Sequence, residues 1–181
     1  MYPLIRFAWQ NWATRNLPPL GPFDTHVSHH RCWPIDIDLW SELNNGRTLT
    51  LYDLGRIPMA RRTGVVDLLR QKGWGFTVAA SFTRYRRRVR IFEKLTMKSR
   101  MIGWDRRFFY MEQSMWRADG ECTSHVLIRT ALVGRGRAGL IPPTALGEGL
   151  GVGPDSPPLP DWVTALVGAE DTRPWPPMAG A

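Results

Sequence analysis

One long helical stretch stands between a lone extended segment and a run of hairpins, and that order restricts the fold more than any other feature of the chain. Asn45 to Ala60 places Thr48, Leu51, Tyr52, Gly55 and Met59 on one helical face. Ahead of it, His26 to Ile37 reads as a strand. Behind it, a short helix over Val65 to Lys72 carries Val65, Val66, Leu68 and Leu69, and Gly73 stops it. Gly75 to Arg88, Val89 to Ile102, Arg107 to Arg117 and Thr123 to Val133 then read as strands, with Gly103-Trp104-Asp105 and Asp119-Gly120 as turns. A helix entering after one strand and before a meander predicts an α+β domain whose antiparallel sheet wraps around that helix. Gly55 would let a strand backbone approach closely, and Pro58 should kink or end the helix.

The 181 residues suit one domain with additional material at both ends. Residues 1–22 divide into a helix and a linker. Leu4, Ile5, Ala8, Trp9 and Trp12 recur at helical spacing, and Pro18, Pro19 and Gly21 prevent the helix from continuing. The preferred expectation is a short helix packed on the domain. The alternative is peripheral membrane contact through residues 3–15, anchored by tryptophan. Residues 23–134 hold the folded domain. Residues 135–181, rich in glycine and proline, read as a tail with one short helix at Asp161 to Val167.

Lysine and arginine total 24 against 16 acidic residues, a formal charge of +8. Such a surface favours anionic partners. Nucleic acid is disfavoured among them, because no recognition helix or zinc spacing accompanies the basic residues. Two cysteines make no disulfide framework. No apolar run is long enough to span a bilayer. Arg6, Gln10 and Asn11 interrupt any apolar leader, so the expected location is cytoplasmic. On a strand His26 and Cys32 would lie roughly 20 Å apart and His29 would face away, so no metal site is expected.

The chemistry concentrates where the first strand meets the helix, at Asp36-Ile37-Asp38 and Asn44-Asn45-Gly46. A carboxylate beside a helix start meets unpaired backbone N–H groups that can hold a developing negative charge. Asp38 is therefore either a turn residue, with Asn44 capping the helix, or a catalytic carboxylate. Asp36, two residues earlier, would share a strand face with Asp38. There it would raise the pKa of its neighbour or lie in solvent. A second concentration is Arg84, Arg86, Arg88 and Arg90, which on a strand would share one face. They suit a phosphate cradle or a solvated, charge-protected edge.

Asp38, Leu43, Asn44, Asn45, Gly46 and Arg47, with Leu54-Gly55-Arg56, the Ala79-Ala80 to Arg87-Arg88 strand and Leu95 through Gly103-Trp104-Asp105 to Phe109-Tyr110, resemble the hot-dog fold of the acyl-CoA thioesterase superfamily. The similarity is to the 4-hydroxybenzoyl-CoA thioesterase-like branch and covers about residues 26 to 134. The resemblance implies hydrolysis of an acyl thioester, with acyl-CoA or an acyl carrier protein as partner. Asp38 would be base or nucleophile, and the Asn45 amide would be oxyanion donor. Asn44 and Ser41 would position substrate, and Arg84, Arg86 and Arg88 would take the phosphates. It implies a homodimer, with a tetramer left open, and no cofactor beyond the coenzyme A of the substrate. The family's Gly-His pair is replaced by Ser41-Glu42. Glu42 would then supply the acid/base group, or the protein binds an acyl chain, acyl-CoA or acyl carrier protein without hydrolysing it.

Overall fold

The computed structural model describes residues 2–134, 136 and 139–177. In order, its elements are α1 (Leu4–Ala13), β1 (His26–Arg31), a 3₁₀ turn (Pro34–Asp36), α2 (Asn45–Arg62), α3 (Val65–Lys72), β2 (Trp74–Tyr85), β3 (Lys94–Trp104), β4 (Phe109–Arg117), β5 (Cys122–Gly134), β6 (Leu140–Ile141), α4 (Pro143–Gly149) and α5 (Asp161–Asp171). The strands form one antiparallel sheet in the order β1-β3-β4-β5-β2, with β6 paired to β5. The expected α+β hot-dog architecture, a sheet around a central helix, is therefore the one found.

Helix α2 lies on the sheet because Thr48, Leu51, Tyr52, Leu54, Gly55, Pro58 and Met59 are buried. Leu51, Tyr52, Leu54 and Met59 share one core cluster with Leu95, Met97, Met111, Met115, Val126 and Ile128. Such burial contributes about 1.5–3 kcal/mol for each large apolar side chain. Gly55 is the closest approach. A Cβ there would stand 2.5 Å from Met97 Sδ and 3.0 Å from Ser99 Oγ, so strand side chains, not strand backbone, fill the space that glycine leaves. Pro58 does not end the helix. It sits inside α2, which continues to Arg62 and closes at Thr63.

Two strands end earlier than the sequence predicts. β1 stops at Arg31, since Pro34 turns the chain into the 3₁₀ turn. β2 stops at Tyr85, where the amides of Arg86 and Arg87 both donate to the Thr123 carbonyl and turn the chain away. Val89 is then buried, and its carbonyl accepts from the Leu43 amide. Residues 86–93 are thus a loop, with Phe92 in the left-handed region at φ 63°.

The stretch read as a tail is integral to the fold. Leu146 of α4 is fully buried with Val65, Leu68, Trp104 and Phe109. Val163 of α5 is fully buried against Tyr110 and Leu127. The glycines and prolines of residues 150–160 therefore lie in the connection between two docked helices. The parts of the terminal assignments at residues 1, 135, 137, 138 and 178–181 lie outside the described residues. Among those described, no helix is long and apolar enough to cross a membrane.

Candidate active site

The segment from Trp33 to Arg47 folds by satisfying its own polar groups. The Asp36 carboxylate is fully buried. It accepts from the Trp33 amide at 3.0 Å, from Arg6 at 2.6 Å and from Arg47 at 2.8 Å. Burial alone would raise its pKa. The Trp33 amide and the two guanidinium groups outweigh burial and hold it below the ordinary carboxylate range. Asp36 is therefore neither a solvent-facing nor a strand-facing neighbour of Asp38, as the sequence suggested, because the 3₁₀ turn replaces the strand there and Arg6 and Arg47 hold the carboxylate inside. Its carbonyl accepts the Asn44 amide at 2.9 Å and so delivers the chain to the start of α2.

Residues 37–43 form a small closed loop with an antiparallel bridge between Ile37 and Leu43. The Asp38 amide donates to the Glu42 carbonyl, and Asp38 Oδ1 accepts from the amides of Trp40 at 2.8 Å and Glu42 at 3.4 Å. Ser41 carries φ 59°, the left-handed conformation that glycine adopts freely. The turn expected of glycine is therefore kept by serine, at a cost of about 1–2 kcal/mol.

At the start of α2, Asn44 Oδ1 accepts from the amides of Gly46 and Arg47. It does not engage that of Asn45, which is left at the positive end of the helix. Asn44 is thus the helix N-cap. Beside it lies a cleft of about 190 Å³ lined by Glu42, Leu43, Asn45, Thr48, Tyr85, Arg86, Arg87, Arg88, Val89, Thr123 and Ser124. Tyr85 donates to the Asn45 carbonyl, and Tyr52 bonds to Ser124 at 2.8 Å. Burial, the leading cause, raises the Tyr52 phenol well above its usual range, so it stays protonated.

Glu42 faces this cleft. Its Oε2 is buried and lies 2.9 Å from Arg88 Nε, too poorly aligned for a hydrogen bond. The charge is balanced while the oxygen lacks a donor. Arg88 is mostly exposed, so this pair contributes under about 1 kcal/mol.

The structure gathers Glu42, Asn45, Arg86 and Arg88 in one cleft, next to Asn44 and Ser41 on the same loop and cap. Asp38 is on that loop but does not line the cleft. Arg84 stands apart, in a separate pocket of about 470 Å³ with Lys98, Glu112 and His125, which Arg86 also borders. The arginines do not form one strand face, because the strand ends among them. Sequence reasoning misses Arg87, Thr123 and Ser124. Strand alternation leaves Arg87 out, and the other two enter only through the register Tyr85↔Ser124. Among the described residues, no cluster of three His, Cys, Asp or Glu side chains could hold a metal ion.

The family described as the thioesterase-like superfamily matches residues 32–167. The chain is 30% identical over 95 residues to Protein THEM6 of Xenopus laevis, covering 52% of this chain and 46% of that one. It spans about half the length of the curated relatives it matches. Its fold is that of YbaW from Escherichia coli, with TM-score 0.65, 16% identity, and coverage of 72% of this chain and 99% of that one. It is likewise that of Slr0204, a 1,4-dihydroxy-2-naphthoyl-CoA thioesterase from Synechocystis, with TM-score 0.60, 6% identity, and coverage of 70% and 95%.

Proposed function

The chain belongs to the thioesterase-like superfamily, and from that membership we propose that it hydrolyses an acyl thioester whose thiol is coenzyme A. The observation that carries this is the meeting of a donor-poor carboxylate, Glu42, and the Asn45 amide in a cleft rimmed by Arg86, Arg87 and Arg88. A related fold acts on an acyl-CoA in Synechocystis, which supports the substrate class.

Glu42 takes a proton from water, and the oxygen attacks the thioester carbon. The Asn45 amide receives the charge that develops on the carbonyl oxygen. The carbon–sulfur bond then breaks, and the leaving thiolate takes up a proton. Substrate phosphate at the arginine rim would draw Arg88 away and free Glu42 for this role. Asp38 has one oxygen engaged by its own loop, and we assign it to holding Glu42 in place; the family resemblance gives it the base or nucleophile role instead. Asn44 fixes the helix start and Ser41 the turn.

The same proposal pairs two copies through their β2 edges. β2 is an outer strand of the sheet with Val78 exposed, and Tyr85 at its end borders the cleft. A second reading, binding of acyl-CoA or acyl carrier protein without turnover, is favoured by Ser41-Glu42 standing where the family has Gly-His.

Thiol release from a panel of acyl-CoA esters and from matching acyl-N-acetylcysteamine esters, which lack the phosphates, tests the assignment. Wild type is expected to turn over acyl-CoA. The double variant Arg86→Ala, Arg88→Ala should raise KM about tenfold or more for CoA esters and leave the truncated esters nearly unchanged. Tight acyl-CoA binding with no thiol released would establish the second reading instead.

A further inference from the structure

Helix α1 is mounted with its polar side inward. Pro3, Arg6, Phe7, Gln10, Asn11 and Thr14 face the domain, while Leu4, Ile5, Ala8, Trp9 and Trp12 face out. Apart from Phe7, which packs on the core, the attachment is polar. Arg6 donates to Asp36 and to the Arg31 carbonyl, Gln10 to the His29 carbonyl at 2.9 Å, and Arg61 to Asn11 Oδ1 at 2.8 Å. A surface helix ordinarily buries its apolar stripe. Here Ile5 is 87% exposed, Leu4 68% and Trp9 59%. The helix packs on the domain as expected, but it does so through its polar side, with the apolar stripe facing out.

The exposed stripe borders an apolar groove of about 1130 Å³ that runs to Trp33 and Ile35 of the 3₁₀ turn. Cations border this surface. Arg31 and Lys94 line the groove, and Arg15 lies over the Trp12 ring at 4.1 Å, beside a Trp9–Trp12 ring pair at 5.1 Å. Among the described residues no carboxylate lines the groove. Glu93, next to Lys94 in sequence, accepts from the Arg90 amide at 3.0 Å, and Asp36 is fully buried and held by Arg6 and Arg47.

We propose that this face, α1 with the 3₁₀ turn, docks on an anionic lipid bilayer, the α1 stripe entering the interface and Arg31 and Lys94 meeting lipid phosphates. Tryptophan rings suit the interface because one edge is apolar and the indole N–H can remain hydrated. Basic side chains lining a groove that no described carboxylate lines add attraction to an anionic surface but none to a neutral one. The Arg6–Asp36 clamp fixes the orientation of the stripe, so the surface is presented without refolding. This proposal is independent of the hydrolytic reading.

Co-sedimentation of the full chain with phosphatidylcholine vesicles, with and without phosphatidylserine, tests it, with quenching of tryptophan emission by brominated lipid as a second readout. Wild type should bind the anionic vesicles and show quenching. Ile5→Glu with Trp9→Glu should bind at least about tenfold more weakly. Both positions are exposed, so an unchanged melting temperature is expected. Arg31→Glu with Lys94→Glu should lose the preference for anionic vesicles. Failure of folded wild type to bind, or equal binding by the Ile5/Trp9 variant, would overturn the proposal. So would a self-associated wild type that the same variant converts to a smaller species without any effect of lipid, since a second copy would then be the occupant.

Discussion

Asp36 and Glu42 are acidic side chains six residues apart on one segment, yet their surroundings are opposite. Asp36 is sealed in the domain, with an amide and two guanidinium groups on its oxygens. Glu42 faces a cleft with a buried oxygen that no group donates to and one exposed arginine beside it. A carboxylate with every lone pair engaged anchors a fold. One that is balanced in charge but short of a donor is available for chemistry. The difference separates stability from function within a single loop, and substitutions at the two ends of that loop should move one and spare the other.

The largest effect should come from Asp36→Ala, which leaves Arg6 and Arg47 facing each other without their carboxylate. Breaking a buried pair from one side costs about 3–5 kcal/mol. Denaturant unfolding should show that loss, whereas Glu42→Gln should unfold within about 0.5 kcal/mol of wild type.

Acid should reach the anchoring region first. Burial, then the Arg62 charge, holds His26 down to about 4; burial, then the Arg6 charge, holds His30 down to about 3. Between those values and the unfolded value of about 6.5 the unfolded chain binds more protons, so stability falls as the pH drops through that range. Asp36, held below its ordinary value, adds a further loss at still lower pH, as its stabilisation disappears on protonation. Melting temperatures from pH 7 to 4 should decline steadily, and the decline should shrink in His30→Gln.

The smallest effect should be at Ser41. Ser41→Gly relieves the left-handed backbone but frees the unfolded chain, for a net gain of about 1 kcal/mol or less. Thermal melts would show it as a small rise, and a clear fall would mean that the serine side chain has a partner of its own in the working protein.

The central helix, the α3 helix and the hairpin order were legible in the sequence because their signals are local: periodic apolar positions, Gly73, and the Asp119-Gly120 turn. The loop–helix junction was legible as a place, through Asp38, Asn44 and Asn45. Its inner arrangement was not. Asp36 turns inward because Arg6, thirty residues away, reaches it, and no local pattern announces a long-range ion pair. Arg84, Arg86 and Arg88 read as one strand face because alternation holds only while pairing continues, and β2 ends at Tyr85. The outward mounting of α1 was hidden for a related reason. Periodicity identifies the apolar stripe but says nothing of which side finds hydrogen-bond partners.

Steady-state hydrolysis of the best acyl-CoA by Glu42→Gln, beside Asp38→Asn and wild type, most directly examines the claim that the cleft-facing carboxylate does the chemistry. The expected result is a kcat at least about a hundredfold lower in Glu42→Gln with KM little changed, and a lesser loss in Asp38→Asn. A Glu42→Gln protein that turns over at the wild-type rate, while Asp38→Asn is dead and still folded, would contradict it.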